Sequence, residues 1–183
     1  MEVYLGLVHY PIKNKTGDIV TTSVTNMDIH DISRSCRTFG IEKYFIISPL
    51  QAQKSLVNRI LGHWDSDNAS VYNPDRKDAL SVALFVESLE LAIDEIEKRS
   101  GKRPLITVTA ANMVEDHGCI KDMKLKAEID NRPILLLFGT GWGLAPEVID
   151  MADFKLGPIY GRSDDGFNHL SVRSAVAIYL SQL

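Results

Sequence analysis

Leu135-Leu136-Leu137-Phe138-Gly139-Thr140-Gly141-Trp142-Gly143-Leu144 is an apolar run of strand length that passes directly into a loop with glycine at alternate positions. Two more tight loops follow closely, Leu156-Gly157-Pro158-Ile159-Tyr160-Gly161 and Gly166-Phe167-Asn168-His169-Leu170-Ser171-Val172. Glycine after a buried strand lets backbone come close to another group without a Cβ in the way. Three such loops in succession predict one pocket assembled from several loops rather than a single phosphate cradle.

The first loop does not match the common nucleotide fingerprints. A dinucleotide site needs GxGxxG in the first βα unit with an acidic residue about 20 positions on. Gly139, Gly141 and Gly143 have another spacing and follow the fifth predicted strand. No Lys-Ser or Lys-Thr pair follows, which excludes a Walker phosphate loop. A plain tight turn is the competing reading of this loop alone, and the two later loops weigh against it.

Outward from this stretch, strand-like and helix-like segments alternate. Val3–Val8, Tyr44–Ile47, Leu80–Val86, Leu105–Val108, Ile134–Phe138 and Asp153–Leu156 read as buried strands. Asp28–Phe39, with Ile29, Ile32, Cys36 and Phe39 on one face and Gly40 as a stop, predicts a helix. Helices are also predicted at Gln51–Leu61, Ser88–Arg99, Lys121–Ile129, briefly after Pro146, and at Leu170–Leu183. The polar stretch Gly62–Pro74 reads as an exposed loop. The alternation predicts an α/β fold, a mostly parallel six-stranded sheet with helices on both faces. With no repeat or long linker, residues 1–183 read as a single domain.

Composition narrows the function. The 183 residues carry a formal charge of −4, so a protein that coats nucleic acid by bulk charge is excluded, while a local basic face is not. Cys36 and Cys119 are the only cysteines and form no CxxC pair; no metal site and no disulfide framework is expected. Glu2 and the absence of a basic n-region argue against a signal peptide. No apolar run approaches the roughly 20 residues of a membrane span, so a soluble, cytoplasmic protein is expected.

Leu136 through Leu144 resembles the second motif of the SPOUT, or α/β-knot, methyltransferases, and Asn168-His169-Leu170-Ser171-Val172-Arg173-Ser174-Ala175-Val176-Ala177 resembles their third. Asn26, Arg34 and Thr38-Phe39-Gly40 are similar to the first. The motifs stand in family order over essentially the whole chain. The resemblance implies a C-terminal trefoil knot, S-adenosylmethionine bound among the knot loops, a homodimer, and structured RNA, tRNA or rRNA, as substrate.

It also implies roles for residues. Phe138, Gly139, Thr140 and Gly141 would line the cofactor from the first loop, Leu156, Gly157 and Ile159 from the second, and Leu170, Ser171 and Val172 from the third. Thr109 and Ala110 would close the methionine side. Core packing is the competing reading for Leu156, Ile159, Leu170 and Val172. Arg34 would stand beside the acceptor nucleotide, preferably on a phosphate, because a guanidinium serves as a base only when strongly perturbed. Asn26 would bond acceptor base or ribose, with helix capping as the equal alternative; Ser171 and Asn168 have the same alternative. Lys13, Lys15, Arg34, Arg37, Arg162 and Arg173 would form the RNA footprint, and Asp164-Asp165 would offer a carboxylate base. The ribose-methylating branch tends to carry glutamate in the second motif, where this chain reads Thr140-Gly141-Trp142-Gly143, closer to the base-methylating tRNA guanine branch. A noncatalytic RNA- or adenosylmethionine-binding protein and an unknotted flavodoxin-like nucleotide-binding domain remain alternatives.

Overall fold

A computed structural model describes residues 1–65 and 73–183. Its main sheet is built from β1 (Val3–Val8), β4 (Tyr44–Ile47), β5 (Ala83–Val86), β6 (Leu105–Thr109), β7 (Ile134–Gly139) and β8 (Phe154–Leu156). Their order is β5-β4-β1-β7-β6-β8, with every neighbouring pair parallel. A separate antiparallel hairpin pairs β2 (Ile12–Lys13) with β3 (Ile19–Val20).

Side-chain alternation along β1 divides the core in two. Val3, Leu5 and Leu7 pack on one face with α1 (Asn26–Thr38), α2 (Gln51–Asp65), α3 (Pro74–Leu80), α5 (Ile120–Asp130) and α7 (Val172–Leu180). Tyr4 and Val8 pack on the other with α4 (Leu89–Ser100) and α6 (Pro146–Asp150). Both faces are covered, as a parallel sheet requires. Gly6 at the middle of β1 is there for space: a Cβ would lie 2.6 Å from Leu137 Cδ2. Closely packed strands β1 and β7 thus form the centre of the molecule.

Helix α1 begins two residues earlier than its apolar spacing predicts. Thr25 is the N-cap, its Oγ1 accepting from the Asp28 amide at 3.1 Å, and Asn26 is the first helical residue. Ile29, Ile32 and Cys36 face the core as expected. Phe39, expected on the same face, is instead exposed at the C-cap. The hairpin β2–β3 lies between β1 and α1, where the sequence reading places no element. Three further expectations need correction. The expected loop Gly62–Pro74 instead holds the end of α2 and the start of α3, and its middle, 66–72, lies outside the described residues. Leu80 ends α3 rather than opening β5, because Asn73 caps a helix there and Pro74 suits its first turn. The last helix runs from Val172 to Leu180, not Leu170 to Leu183, with Ser171 as its N-cap.

Candidate active site

All six sheet strands run the same way, so the loops after β1, β7, β6 and β8 emerge from one carboxyl edge, where open α/β sheets bind ligands. The loop after β7 is held tightly. Gly143 N–H closes a turn on Thr140 O at 3.0 Å, and the hairpin grips it from outside: Lys13 N–H donates to Gly143 O at 2.9 Å and Trp142 N–H to Lys13 O at 3.3 Å. Gly141 has φ +57°, and a Cβ there would meet Ile12 Cγ2 and Thr22 Cγ2 at 3.3 Å. That glycine therefore admits the chain's own hairpin.

From inside, the same loop is tied to β1. Thr140 Oγ1 donates to Val8 O at 3.1 Å and shares a short hydrogen bond with Thr22 Oγ1, which in turn contacts His9 Nδ1 at 3.0 Å. His9 is fully buried and its Nε2 has no hydrogen-bond partner among the described residues. Burial pushes its pKa down to about 4, against a smaller upward pull from Asp28, so the ring is neutral near pH 7.

The second and third loops interlock with their neighbours. Gly157 N–H donates to Gly118 O at 2.8 Å, and the Tyr179 hydroxyl of α7 donates to Gly157 O at 2.8 Å. Asn168 Nδ2 donates to Ala111 O at 3.3 Å, fastening the third loop to the chain just past β6. The Tyr179 ring lies 5.9 Å from that of Phe138. The structure thus places the residues expected on the cofactor side on β7, β8, the end of β6 and the start of α7, while Asn26 and Arg34 lie on α1.

Their exposures differ. Phe138, Leu156 and Thr109 are buried, and Thr109 Oγ1 donates to Leu137 O at 3.0 Å. Ala110, Gly139, Thr140, Gly157, Ile159 and Val172 are half-buried, and Gly141, Leu170 and Ser171 are exposed. Ser171 Oγ accepts from Ser174 N–H at 3.2 Å, so capping occupies it. Asn26 is exposed with Thr25 already serving as the cap. Arg34 is exposed on α1, without a hydrogen-bond or ion-pair partner among the described residues.

Two members of the expected basic footprint are engaged within the chain. Arg37 Nε pairs with Asp78 at 2.9 Å, and Arg173 binds Asp28 at 3.1 Å and Asp31 at 3.3 Å. Asp165 accepts from Ser163 Oγ and from Phe167 N–H, and these bonds hold its carboxyl below the ordinary range. That makes it a weaker base than a free carboxylate. Sequence reasoning missed His9, Thr22 and Asp28. The only available signal was the Asn14-Lys15-Thr16-Gly17-Asp18 turn between Ile12-Lys13 and Ile19-Val20, a hairpin signature in retrospect.

No group of His, Cys, Asp and Glu able to hold a metal occurs among the described residues, and no helix there is long and apolar enough to cross a membrane.

The fold is shared with solved methyltransferases. A probable methyltransferase from Bordetella pertussis Tohama I superposes with a TM-score of 0.62 at 12% identity, covering 98% of this chain and 92% of that one. The SpoU methyltransferase AviRb from Streptomyces viridochromogenes, solved with its cofactor AdoMet, gives 0.58 at 18% identity over 100% of this chain and 57% of the other. In sequence, a tRNA (guanine-N(1)-)-methyltransferase of Oleidesulfovibrio alaskensis is 44% identical over 181 residues, 99% of this chain and 41% of the relative. An uncharacterized protein of Aquifex aeolicus is 40% identical over 183 residues, covering 87% of its length. The chain spans about two fifths of the length of the curated methyltransferases it matches. The family model for SAM-dependent RNA methyltransferases matches residues 2–183, and with the SPOUT fold of its structural neighbours the chain belongs to that family.

Proposed function

We propose that this chain transfers a methyl group from S-adenosylmethionine to a nucleotide of structured RNA, with tRNA as the substrate. The observation that carries the reading is the fastening of three glycine-bearing loops at one carboxyl edge, by Tyr179 to Gly157, Asn168 to Ala111 and Lys13 to Gly143. The activity for which the relatives are named supports tRNA, although most of their length lies outside the match.

The residues suit the cofactor. The N–H groups of Gly141, Leu170 and Ser171 have no backbone acceptor among the described residues, and exposed Leu170 and half-buried Ile159 add apolar surface. Backbone donors with an apolar lining are what an adenine ring needs. When bound, adenosylmethionine supplies a methyl already activated on a sulfonium. The protein's task is then to orient donor and acceptor and keep water out. In this reading, Phe138, Gly139, Thr140, Gly141, Leu156, Gly157, Ile159, Leu170, Ser171 and Val172 line the pocket, with Thr109 and Ala110 on the methionine side. Arg34 meets an RNA phosphate, and Asn26 faces the acceptor nucleotide.

The same reading has residues 1–183 acting as one methyltransferase domain, a cytoplasmic homodimer whose α7 passes beneath a preceding loop. The contacts of α7 with Gly157 and Phe138 support that path. Calorimetric titration with adenosylmethionine, NAD and FMN tests the pocket. Binding of adenosylmethionine alone is expected; preference for NAD or FMN contradicts the reading. Transfer of labelled methyl to tRNA separates an enzyme from a noncatalytic binder.

A further inference from the structure

Among the described residues, five Phe, Tyr or Trp side chains are exposed, and four of them, Tyr10, Trp142, Tyr160 and Phe167, follow the carboxyl ends of β1, β7 and β8. Only Phe39, at the end of α1, lies elsewhere. Large rings left in water at one edge of a sheet mark a contact surface rather than scatter.

Trp142 is the best-presented of the four. It is 62% exposed, yet its backbone is fixed on both sides by the hydrogen bonds to Lys13 and by the turn from Thr140 to Gly143. The indole is thus an exposed ring carried on a braced loop. The hairpin that braces it carries Lys13 and Lys15, neither in an ion pair among the described residues. The nearby acid, Asp18, is committed to Asn14 and Thr16 within the hairpin turn. An exposed aromatic on a braced loop, with unpaired lysines on the hairpin that grips that loop, is the arrangement that binds single-stranded nucleic acid, where bases stack on the ring and cations meet the phosphates.

We propose that Trp142 is a stacking platform for an unpaired base of the RNA substrate, with Lys13 and Lys15 on the adjoining phosphates. This rests on the RNA reading above and adds the substrate's form, a loop or bulge whose bases are already splayed. A duplex keeps its bases stacked and offers no face to the indole.

The test uses the intact chain with Trp142→Ala and Trp142→Phe, unmodified tRNA, a single-stranded RNA oligonucleotide and its duplex. Trp142→Ala is expected to weaken tRNA binding by about tenfold, within the range for losing one stacked base, and Trp142→Phe to restore most of it. Adenosylmethionine affinity and thermal midpoint should be unchanged in both. The single strand should quench tryptophan emission in the wild type but not in Trp142→Phe, and the duplex should leave it unquenched. Wild-type tRNA affinity in Trp142→Ala overturns the proposal. So does a change of sedimentation state in Trp142→Ala, which would place Trp142 between two copies of the chain. If single-strand quenching occurs without any methyl transfer, the platform stands and the enzymatic reading fails.

Discussion

The guanidinium of Arg173, near the start of α7, lies 3.1 Å from the carboxylate of Asp28 in the first turn of α1, joining residues 145 positions apart. Asp28 is nearly inaccessible, and it also accepts from Thr25 Oγ1 at 2.6 Å. The contact ties the helix after the third loop to the helix bearing Arg34. It sets the relation between the expected cofactor side and the expected RNA side.

Arg173→Ala should therefore destabilise the protein, because the buried Asp28 carboxyl would lose its cationic partner. Breaking a buried pair costs about 3–5 kcal/mol; Arg173 is partly solvated at 28% side-chain exposure, so about 2 kcal/mol is expected after solvent screening. Urea unfolding measures it, and adding Asp28→Asn should recover part of the loss. A change below about 0.5 kcal/mol, the range of ordinary surface substitutions, would show that the pair is not structural.

His9 predicts a specific acid sensitivity. Its folded pKa is about 4, below the unfolded value near 6.5, so the unfolded chain takes up the proton first. The stability it contributes is complete above about pH 6.5 and declines as pH falls toward 4, by about 3 kcal/mol in all. His9→Gln should flatten the stability profile across that window, as read from urea midpoints at pH 7.5 and 5. An unchanged slope would place the acid response elsewhere.

Gly141→Val should weaken cofactor binding by way of the fold. At φ +57° a β-branched residue is strained, and its side chain would press on Ile12 and Thr22 of the hairpin. A loss of about 2 kcal/mol in stability is expected for the strained backbone, together with loss of adenosylmethionine affinity by calorimetry. Normal stability and normal affinity would show that the loop accommodates the change.

Arg34→Ala should leave the fold intact, since the side chain is exposed and unbonded among the described residues. Methyl transfer should fall about tenfold or more, the scale of a lost charge-assisted phosphate contact, with adenosylmethionine affinity unchanged. Equal loss of cofactor binding would contradict its place on the RNA side.

Much of the fold was legible because its central strands are wholly apolar. Leu135-Leu136-Leu137-Phe138 is buried on both faces, and such runs read as parallel strands whatever surrounds them. Ile29, Ile32 and Cys36 gave α1 its inward face by spacing alone. The strands of the hairpin were not legible, because two residues carry no period; only its polar turn at Asn14-Lys15-Thr16-Gly17-Asp18 left a signal. Leu80 was misread because an apolar residue at the end of a short helix looks like the start of the strand that follows.

The loop residues of the site were legible as a set, and their individual geometry was not. Gly141 reads as an opening toward a ligand, while the structure turns its missing Cβ toward the hairpin. Arg173 reads as part of the RNA footprint; only tertiary packing brings Asp28 against it. Partners so far apart in sequence leave no local signal for pairing.

The most direct measurement is nucleoside mass spectrometry of unmodified tRNA incubated with the protein and adenosylmethionine bearing a deuterated methyl group. Incorporation at one nucleoside, abolished in Gly141→Val and sharply reduced in Arg34→Ala, is the predicted result. RNA free of label, from protein that is folded and saturated with adenosylmethionine, would contradict methyl transfer to tRNA.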